Sequence, residues 1–310
     1  MSALCSLALP THGIVHRPLD ALGESHGLTP RSALMYERFF GLQAVAQSHE
    51  TLGDMLAGAL AQAVAALPAE APAGRLIYCR TQTHNTLSDR NWLRRLADDH
   101  GLEDWEVSAL TLTSCASALV QMHVARLGGL AEGQPMIILT GEKAFHPSVS
   151  RLPVGLLAEI PAAALFNAGP ARWHLVNSHL RHLSRFHQNP DRMSGADRKA
   201  LQECYAPEII SFIEQSLARY DADLAADMVF LPHNLNRPVT DAILRHFDWQ
   251  DRCFHGDLAQ AGHAYCSDGF ANLAAFEAAG RKESQVLMLA AGTGVTFATC
   301  LFNRNLSEPE

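Results

Sequence analysis

The sequence has no run of about eighteen apolar residues, so no stretch of it is read as crossing a membrane. It has no C-x-x-C pair. Its seven cysteines stand alone at 5, 79, 115, 204, 253, 266 and 300. An odd, scattered set argues against a disulfide framework and against a cysteine-based zinc site. It suits a reducing cytosol, and the expected location is cytoplasmic. None of the 16 histidines stands in an H-E-x-x-H spacing. No G-x-x-x-x-G-K-[ST] loop occurs, and Gly292-x-Gly294 is too short for a dinucleotide fingerprint. No metal and no tightly bound redox cofactor are expected. Basic charge is short: 24 Lys and Arg against 32 Asp and Glu leave a formal charge of −8. That balance argues against non-specific binding to nucleic acid. The first ten residues lack a charged start and a clear cleavage site, so no signal peptide is read.

What is present is enough for a large core: 310 residues, 48% hydrophobic. Apolar periodicity predicts helices over 50–66 (capped by Thr51), 90–100, 206–220, 238–247 and 270–279. It predicts strands over 75–79, 107–112, 136–140, 160–166, 228–231, 286–289 and 295–302. Strands alternating with helices imply a mainly parallel sheet covered on both faces. The second half repeats the strand–helix grammar of the first, and no linker rich in Pro, Gly or Ser parts them. The reading is two packed halves, 1–169 and 170–310, in one unit. Residues 170–200 carry Arg172, His174, His179, Arg181, His182, Arg185 and His187. They read as a polar, solvated excursion, with a basic lip for a phosphopantetheine-bearing partner as the lesser alternative.

Everything is organised around residues 106–125. A strand pattern breaks at Thr113-Ser114-Cys115 and resumes as a helix with Ala118, Leu119, Met122 and Ala125 at helical spacings. Cys115 therefore stands at a helix N-terminus, where unpaired N–H groups and the positive dipole end favour a thiolate and can hold an oxyanion. The same pattern also serves a buried, inert cysteine. A nucleophilic thiol needs a base, and the base an orienting partner. Two polar sites at ends of apolar elements can supply them: His233 after the 228–231 strand, and the loop from Gly262 to Asp268. Each has an ordinary structural reading too, as a hydrogen-bonded loop histidine and as a helix cap or turn aspartate.

The joint order resembles the ketoacyl-ACP synthase III group of the thiolase superfamily over nearly the whole chain. Leu7-Ala-Leu-Pro-Thr-His-Gly-Ile-Val looks like that group's first strand and turn. Tyr36-Glu-Arg-Phe-Phe-Gly-Leu, followed by Glu50-Thr-Leu, looks like its substrate-entrance segment. Ser114-Cys115-Ala-Ser matches its nucleophile turn, Pro232-His233-Asn-Leu-Asn236 resembles Pro-His-Gln-Ala-Asn, and Gly292-Thr-Gly294-Val matches its closing turn. The resemblance implies an α/β, thiolase-like fold of two pseudo-repeated halves layered α-β-α-β-α. It implies Cys115 as the acylated nucleophile, an oxyanion hole at Cys115 and Gly294, and substrate contacts at Tyr36, Arg38 and Asn234. Arg31 and Arg38 could meet a phosphate, although surface arginines usually meet only water. CoA or phosphopantetheine thioesters are then substrates, with acyl-CoA or an acyl carrier protein as donor. A homodimer is implied, or a heterodimer with a related subunit.

Two departures shape the expected activity. Where the family carries Asn in Gly-Asn-Thr-Ser, this chain has His263, with Asp268 further along; Asp in this region is similar to an acyltransferase branch with a Cys-His-Asp triad. Glu159-Ile-Pro-Ala-Ala-Ala stands where a Gly-Asp-Gly-Ala strand is usual. Decarboxylative condensation forms an enolate, which needs hydrogen-bond donors; an ionised Asp cannot donate and repels it. Asp268 behind His233 instead makes a general base. The expected activity is acyl transfer through acyl-Cys115 to a hydroxyl or amine, in secondary metabolism. The catalytic residues are read as Cys115, His233 and Asp268, with His263 as the alternative to Asp268. A condensing enzyme and a non-catalytic partner subunit are the competing readings.

Overall fold

Successive side chains of a strand face opposite sides, and here both sides are apolar. In the strand Met136–Thr140, Met136 and Ile138 join one buried cluster while Ile137 and Leu139 join another. In Gln285–Gly292, Val286, Met288 and Ala290 face that first cluster, and Leu287, Leu289 and Ala291 face a third. Such strands are stable only between two helical layers.

The computed structural model describes residues 2–81, 91–129, 131, 133–144, 146–152, 154–188, 192–234, 237–292 and 295–306. Its strands are β1 (Ser2–Ala8), β2 (Ile14–Pro18), β3 (Ala44–Ser48), β4 (Arg75–Cys79), β5 (Glu106–Leu110), β6 (Met136–Thr140), β7 (Arg151–Leu152), β8 (Gly155–Leu156), β9 (Ala162–Phe166), β10 (Trp173–His182), β11 (Val229–Leu231), β12 (Gln285–Gly292) and β13 (Thr296–Arg304). Its helices are α1 (Leu19–Leu22), α2 (Pro30–Phe40), α3 (Leu52–Ala65), α4 (Trp92–Asp98), α5 (Ser117–Val124), α6 (Gly195–Tyr220), α7 (Arg237–Phe247), α8 (Leu258–Ala261) and α9 (Asp268–Ala278). No helix among the described residues is long and apolar enough to cross a membrane.

The main sheet runs β11-β12-β13-β10-β1-β9-β6-β4-β5. Strand β1 joins the two parts of the chain, pairing β9 on one side and β10 on the other. Helices α5 and α9 supply the cluster between the two parts of the sheet; α3 and α4 cover the outer face of the first part, α6 and α7 that of the second. The fold is thiolase-like and α/β, with helical layers outside and between. Thr51 caps α3 as expected, its hydroxyl accepting from the Asp54 N–H.

Two expectations are corrected. The sheet is mixed: only β4–β5, β4–β6 and β11–β12 pair in parallel, and the remaining pairings among the described strands are antiparallel. The strand–helix alternation could not show this, because β9 and β10 are adjacent in sequence and bring the chain back through the middle. Residues 170–200 are not a solvated excursion, for Trp173–His182 is a central strand paired with β1 and β13. Its polar side chains find polar partners, at buried His179, half-buried Arg181 and exposed His182 alike. His179 accepts or donates to Ser216 Oγ at 2.9 Å and stacks on Phe212, His182 meets Thr296 Oγ1 at 2.8 Å, and Arg181 pairs with Glu208. Arg172 pairs with Glu277 at 2.7 Å, while His182, Arg185 and His187 are exposed. Glu159, in the segment that departs from the family pattern, takes Lys143 Nζ at 2.9 Å and the Ser48 N–H at 2.8 Å, a structural post.

Candidate active site

Strand β5 ends at Leu110, and a single tight turn, Ser114–Ala116, precedes α5. Ser114 has φ 53°, the left-handed region that non-glycine residues rarely adopt. The Ser117 hydroxyl fixes the turn, donating to the Ser114 carbonyl at 2.7 Å and lying 3.0 Å from Thr113 Oγ1. The end of β12 closes over it. A Cβ at Gly292 would lie inside the van der Waals shell of the Thr113 carbonyl oxygen, so only glycine fits there. Cys115 is thus presented on a rigid turn, 8% exposed.

The loop from Gly262 to Asp268 reaches Cys115 because it is stitched to the chain after β8. The His263 N–H donates to the Leu156 carbonyl at 2.8 Å, and the Ala158 N–H to the His263 carbonyl at 2.7 Å. This backbone register aims the His263 ring at the nucleophile turn. His263 Nε2 lies 3.3 Å from Cys115 Sγ, and His263 Nδ1 lies 2.6 Å from Asp268 Oδ2. Asp268, first residue of α9, also accepts the Ala264 N–H at 2.6 Å and the Asn234 N–H at 2.9 Å. Sequence reasoning gave the hydrogen bond of Asp268 to His233. The structure gives it to His263, and places His263 between Asp268 and the sulfur. His233 stands beside the line, its ring edge-on to His263 at 4.7 Å, its Nε2 3.5 Å from Asp268 Oδ2 and without a hydrogen-bond partner among the described residues.

Burial pushes the His263 imidazole down, but the Asp268 carboxylate and the Cys115 sulfur outweigh it and raise it to about 10. Burial, reinforced by the neighbouring His263 charge and opposed by Asp268, lowers His233 to about 3. Burial pushes Asp268 up, and the two histidines with the Ala264 N–H more than reverse it, holding the carboxyl below its ordinary range. One imidazole is therefore cationic at neutral pH and the other neutral. The ligand atoms of His233, His263 and Asp268 lie within 4.8 Å of one another, a group that could in principle hold a metal ion. The His263–Asp268 hydrogen bond already engages two of them.

Other expected site residues are placed elsewhere. Tyr36 is buried, and its hydroxyl donates to the Leu152 carbonyl at 2.5 Å, tying α2 to the β7–β8 hairpin. It does not face open space. Arg38 lies on the outer face of α2 beside Arg31, Leu34, Met35 and Phe39, lining a surface depression of about 560 Å³. Asn234 exchanges amide hydrogen bonds with Asn272 at 2.9 and 3.0 Å, and so braces the loop that carries His233. Gly294 lies outside the described residues, and so does Asn236. Two residues that sequence reasoning missed belong here: Asn272, whose amide also donates to the Pro232 carbonyl at 2.7 Å, and Thr81, whose hydroxyl donates to Cys115 Sγ at 3.2 Å. Asn272 sits one helical turn past Asp268 on α9, a spacing that could have shown it; Thr81 had no signal.

These shifts set an acid limit. His233, and His179 (lowered to about 4 by burial first), have folded values below the ordinary 6.5, so each stabilises the fold fully above 6.5 and progressively less as pH falls. Asp268 adds to the loss below about pH 4. His263 has the opposite sign, its contribution being complete below 6.5 and lost as pH rises toward about 10. The urea midpoint is expected to drop steadily from pH 6.5 to pH 4; an unchanged midpoint over that range contradicts the buried neutral state of His233 and His179.

No family model and no curated protein matches this sequence. Solved structures do. A protein described as the acyltransferase ChlB3 superposes with a TM-score of 0.77 at 15% identity, covering 98% of this chain and 97% of that one. The 3-oxoacyl-[acyl-carrier-protein] synthase III of Aquifex aeolicus VF5 gives 0.75 at 13% identity, over 98% and 100%. AbyA1, a tetronic acid condensing enzyme, gives 0.72 at 18% identity, over 98% and 100%. These likenesses span both chains nearly end to end, and with the topology above they give the chain the thiolase-like fold of the ketoacyl synthase III-like enzymes.

Proposed function

We propose that the protein is an acyltransferase that carries an acyl group from a CoA or carrier-protein thioester, through Cys115, to a hydroxyl or amine acceptor, with secondary metabolism as its setting. The observation that carries this reading is the buried line Cys115 Sγ–His263–Asp268, at 3.3 and 2.6 Å. In it His263 replaces His233 as the partner of the thiol. The Cys115 sulfur attacks the thioester carbon while the proton resides on His263. Collapse of the tetrahedral intermediate breaks the carbon–sulfur bond of the donor, and His263 Nε2 passes its proton to the leaving thiolate. His263, now neutral and held in one tautomer by Asp268, takes the proton of the acceptor as its oxygen or nitrogen attacks the acyl carbon. The sulfur leaves and the starting state returns. His233, neutral and with an uncommitted buried Nε2, orients the acceptor by a hydrogen bond. The name of the structural neighbour ChlB3 supports the same class of reaction.

A second reading has its own observation. Because His263 lies between Asp268 and the sulfur, the carboxylate does not face the reacting carbon, and the argument that it would repel an enolate loses force. A cationic His263 and a neutral His233 could serve as donors to an enolate in a condensing enzyme. The discriminating experiment is to form the acyl-enzyme from an acyl-CoA and chase it with alcohols and amines or with a malonyl thioester. Transfer predicts ester or amide product; carbon dioxide release with a ketoacyl product selects condensation instead.

The reading includes a homodimer. Strand β5 ends the sheet with its outer edge unpaired among the described strands, and Leu112, just beyond it, is 88% exposed. An unpaired strand edge followed by an exposed leucine, beside the nucleophile turn, favours pairing with a second copy. Leu112→Arg is expected to halve the sedimenting mass. A wild type that sediments as a monomer removes the dimer from the reading.

A further inference from the structure

The line Cys115–His263–Asp268 leaves one thiol beside it unexplained. Cys266 is 2% exposed and lies in the same loop as His263 and Asp268. Its turn, Tyr265–Ser267, mirrors the turn of Cys115. Each cysteine is the middle residue of a single tight turn leading into a helix of the middle layer, and each follows a residue with φ 53°, Ser114 in one case and Tyr265 in the other. The two turns meet face to face. Cys266 Sγ donates to the Ser114 carbonyl, the residue before the nucleophile, at 3.3 Å. The Thr81 hydroxyl lies 3.2 Å from Cys115 Sγ and 3.8 Å from Cys266 Sγ, so one small side chain touches both sulfurs. Those two distances put the sulfurs no more than 7.0 Å apart, with the Thr81 hydroxyl as the atom they share.

We propose that Cys115 and Cys266 form a dithiol that a small peroxide converts to an intramolecular disulfide, shutting the site reversibly. The proposal rests on Cys115 being the reactive thiol of the preceding reading. The Cys115 sulfur attacks one oxygen of hydrogen peroxide, the O–O bond breaks, and Cys115 becomes a sulfenic acid as the other oxygen leaves as water. Cys266 Sγ then attacks Cys115 Sγ, the S–O bond breaks, and the hydroxyl leaves as a second water with the Cys266 proton. The two sulfurs give up two electrons, and the peroxide takes them. A small dithiol reverses the bond by exchange and is itself oxidised to a disulfide. The order of events follows from burial, which holds the Cys266 thiol well up from its ordinary value and leaves it inert to peroxide until Cys115 has been oxidised. Without Cys266 the sulfenic acid would proceed to sulfinic acid, which dithiols do not reduce.

The test treats wild type and Cys266→Ala with several equivalents of hydrogen peroxide, blocks free thiols with iodoacetamide, and maps peptides without reduction. Wild type is expected to give a peptide pair linked through Cys115 and Cys266, and dithiothreitol should restore labelling of Cys115 by acyl-CoA. Cys266→Ala should label normally before oxidation, then gain two oxygens on Cys115 and recover nothing. Absence of the linked peptide from oxidised wild type overturns the proposal, whatever the variant does. Iodoacetamide labelling of untreated wild type separates the two failures. Cys115 that does not label sinks the acyltransferase reading; Cys115 that labels but never links to Cys266 sinks the dithiol alone.

Discussion

Cys115→Ala is expected to abolish the covalent acyl adduct on incubation with acyl-CoA and to lower turnover by at least about 10³-fold. The sulfur is the atom placed to accept an acyl group: Thr81 donates its hydroxyl to it, and His263 Nε2 faces it at 3.3 Å. Alanine leaves the turn intact, because Ser114, Ser117 and Gly292 set its backbone and none of them uses the Cys115 side chain for that purpose. A loss of activity with an unchanged unfolding midpoint therefore reports chemistry. The histidines divide the same experiment. His263→Ala should slow acyl-enzyme formation nearly as much as loss of the thiol, because the sulfur's other partners among the described residues, the Thr81 and Ser114 hydroxyls, are too weakly basic to take its proton. His233→Ala should still form the adduct and fail in the chase. Intact-protein mass reads both steps, and an adduct that forms in His263→Ala but not in His233→Ala would return the role of base to His233.

That division was only half legible in the sequence. Cys115 could be found because a strand, a turn and a helix follow one another within twenty residues, and local periodicity is enough to place a side chain at such a turn. His233 could be found for the same reason at the end of β11. The choice between two histidines was not legible, because it depends on a contact between residues far apart in the chain. His263 points at Cys115 since its backbone is bonded to Leu156 and Ala158, and neither residue carries a signal for that pairing. The central strand Trp173–His182 was hidden by its polarity. A pattern rich in His and Arg reads as solvated unless Ser216, Thr296 and Glu208 are known to wait on the neighbouring elements. The two entrance residues divide for a related reason. Tyr36 and Arg38 are two residues apart on one helix, so they point to different sides, and the one that faces the protein spends its hydroxyl on a backbone carbonyl.

Asp268→Asn is expected to reduce kcat by about 10⁴-fold, the scale seen when a buried carboxylate behind a catalytic imidazole becomes an amide. The amide can still accept one hydrogen bond, but Asp268 now accepts three, from His263, Ala264 and Asn234, and its charge is what holds the His263 proton. Removing that charge lets burial, the opposing influence on His263, prevail, so the imidazole loses its proton at a lower pH. Acylation needs that proton for the leaving thiolate. In wild type, kcat/KM for the acyl donor should hold to high pH and fall only as His263 titrates near 10. In Asp268→Asn the fall should begin at a lower pH. The fold is weakened as well, because His263 is 1% exposed and a buried imidazolium without its carboxylate costs about 3 kcal/mol or more unless it deprotonates. Deprotonation relieves that cost above the new value, so the variant should lose more stability at pH 5 than at pH 8. A purely structural role for Asp268 would lower stability equally at both and leave the pH profile of kcat/KM where it was; the proposed role moves both.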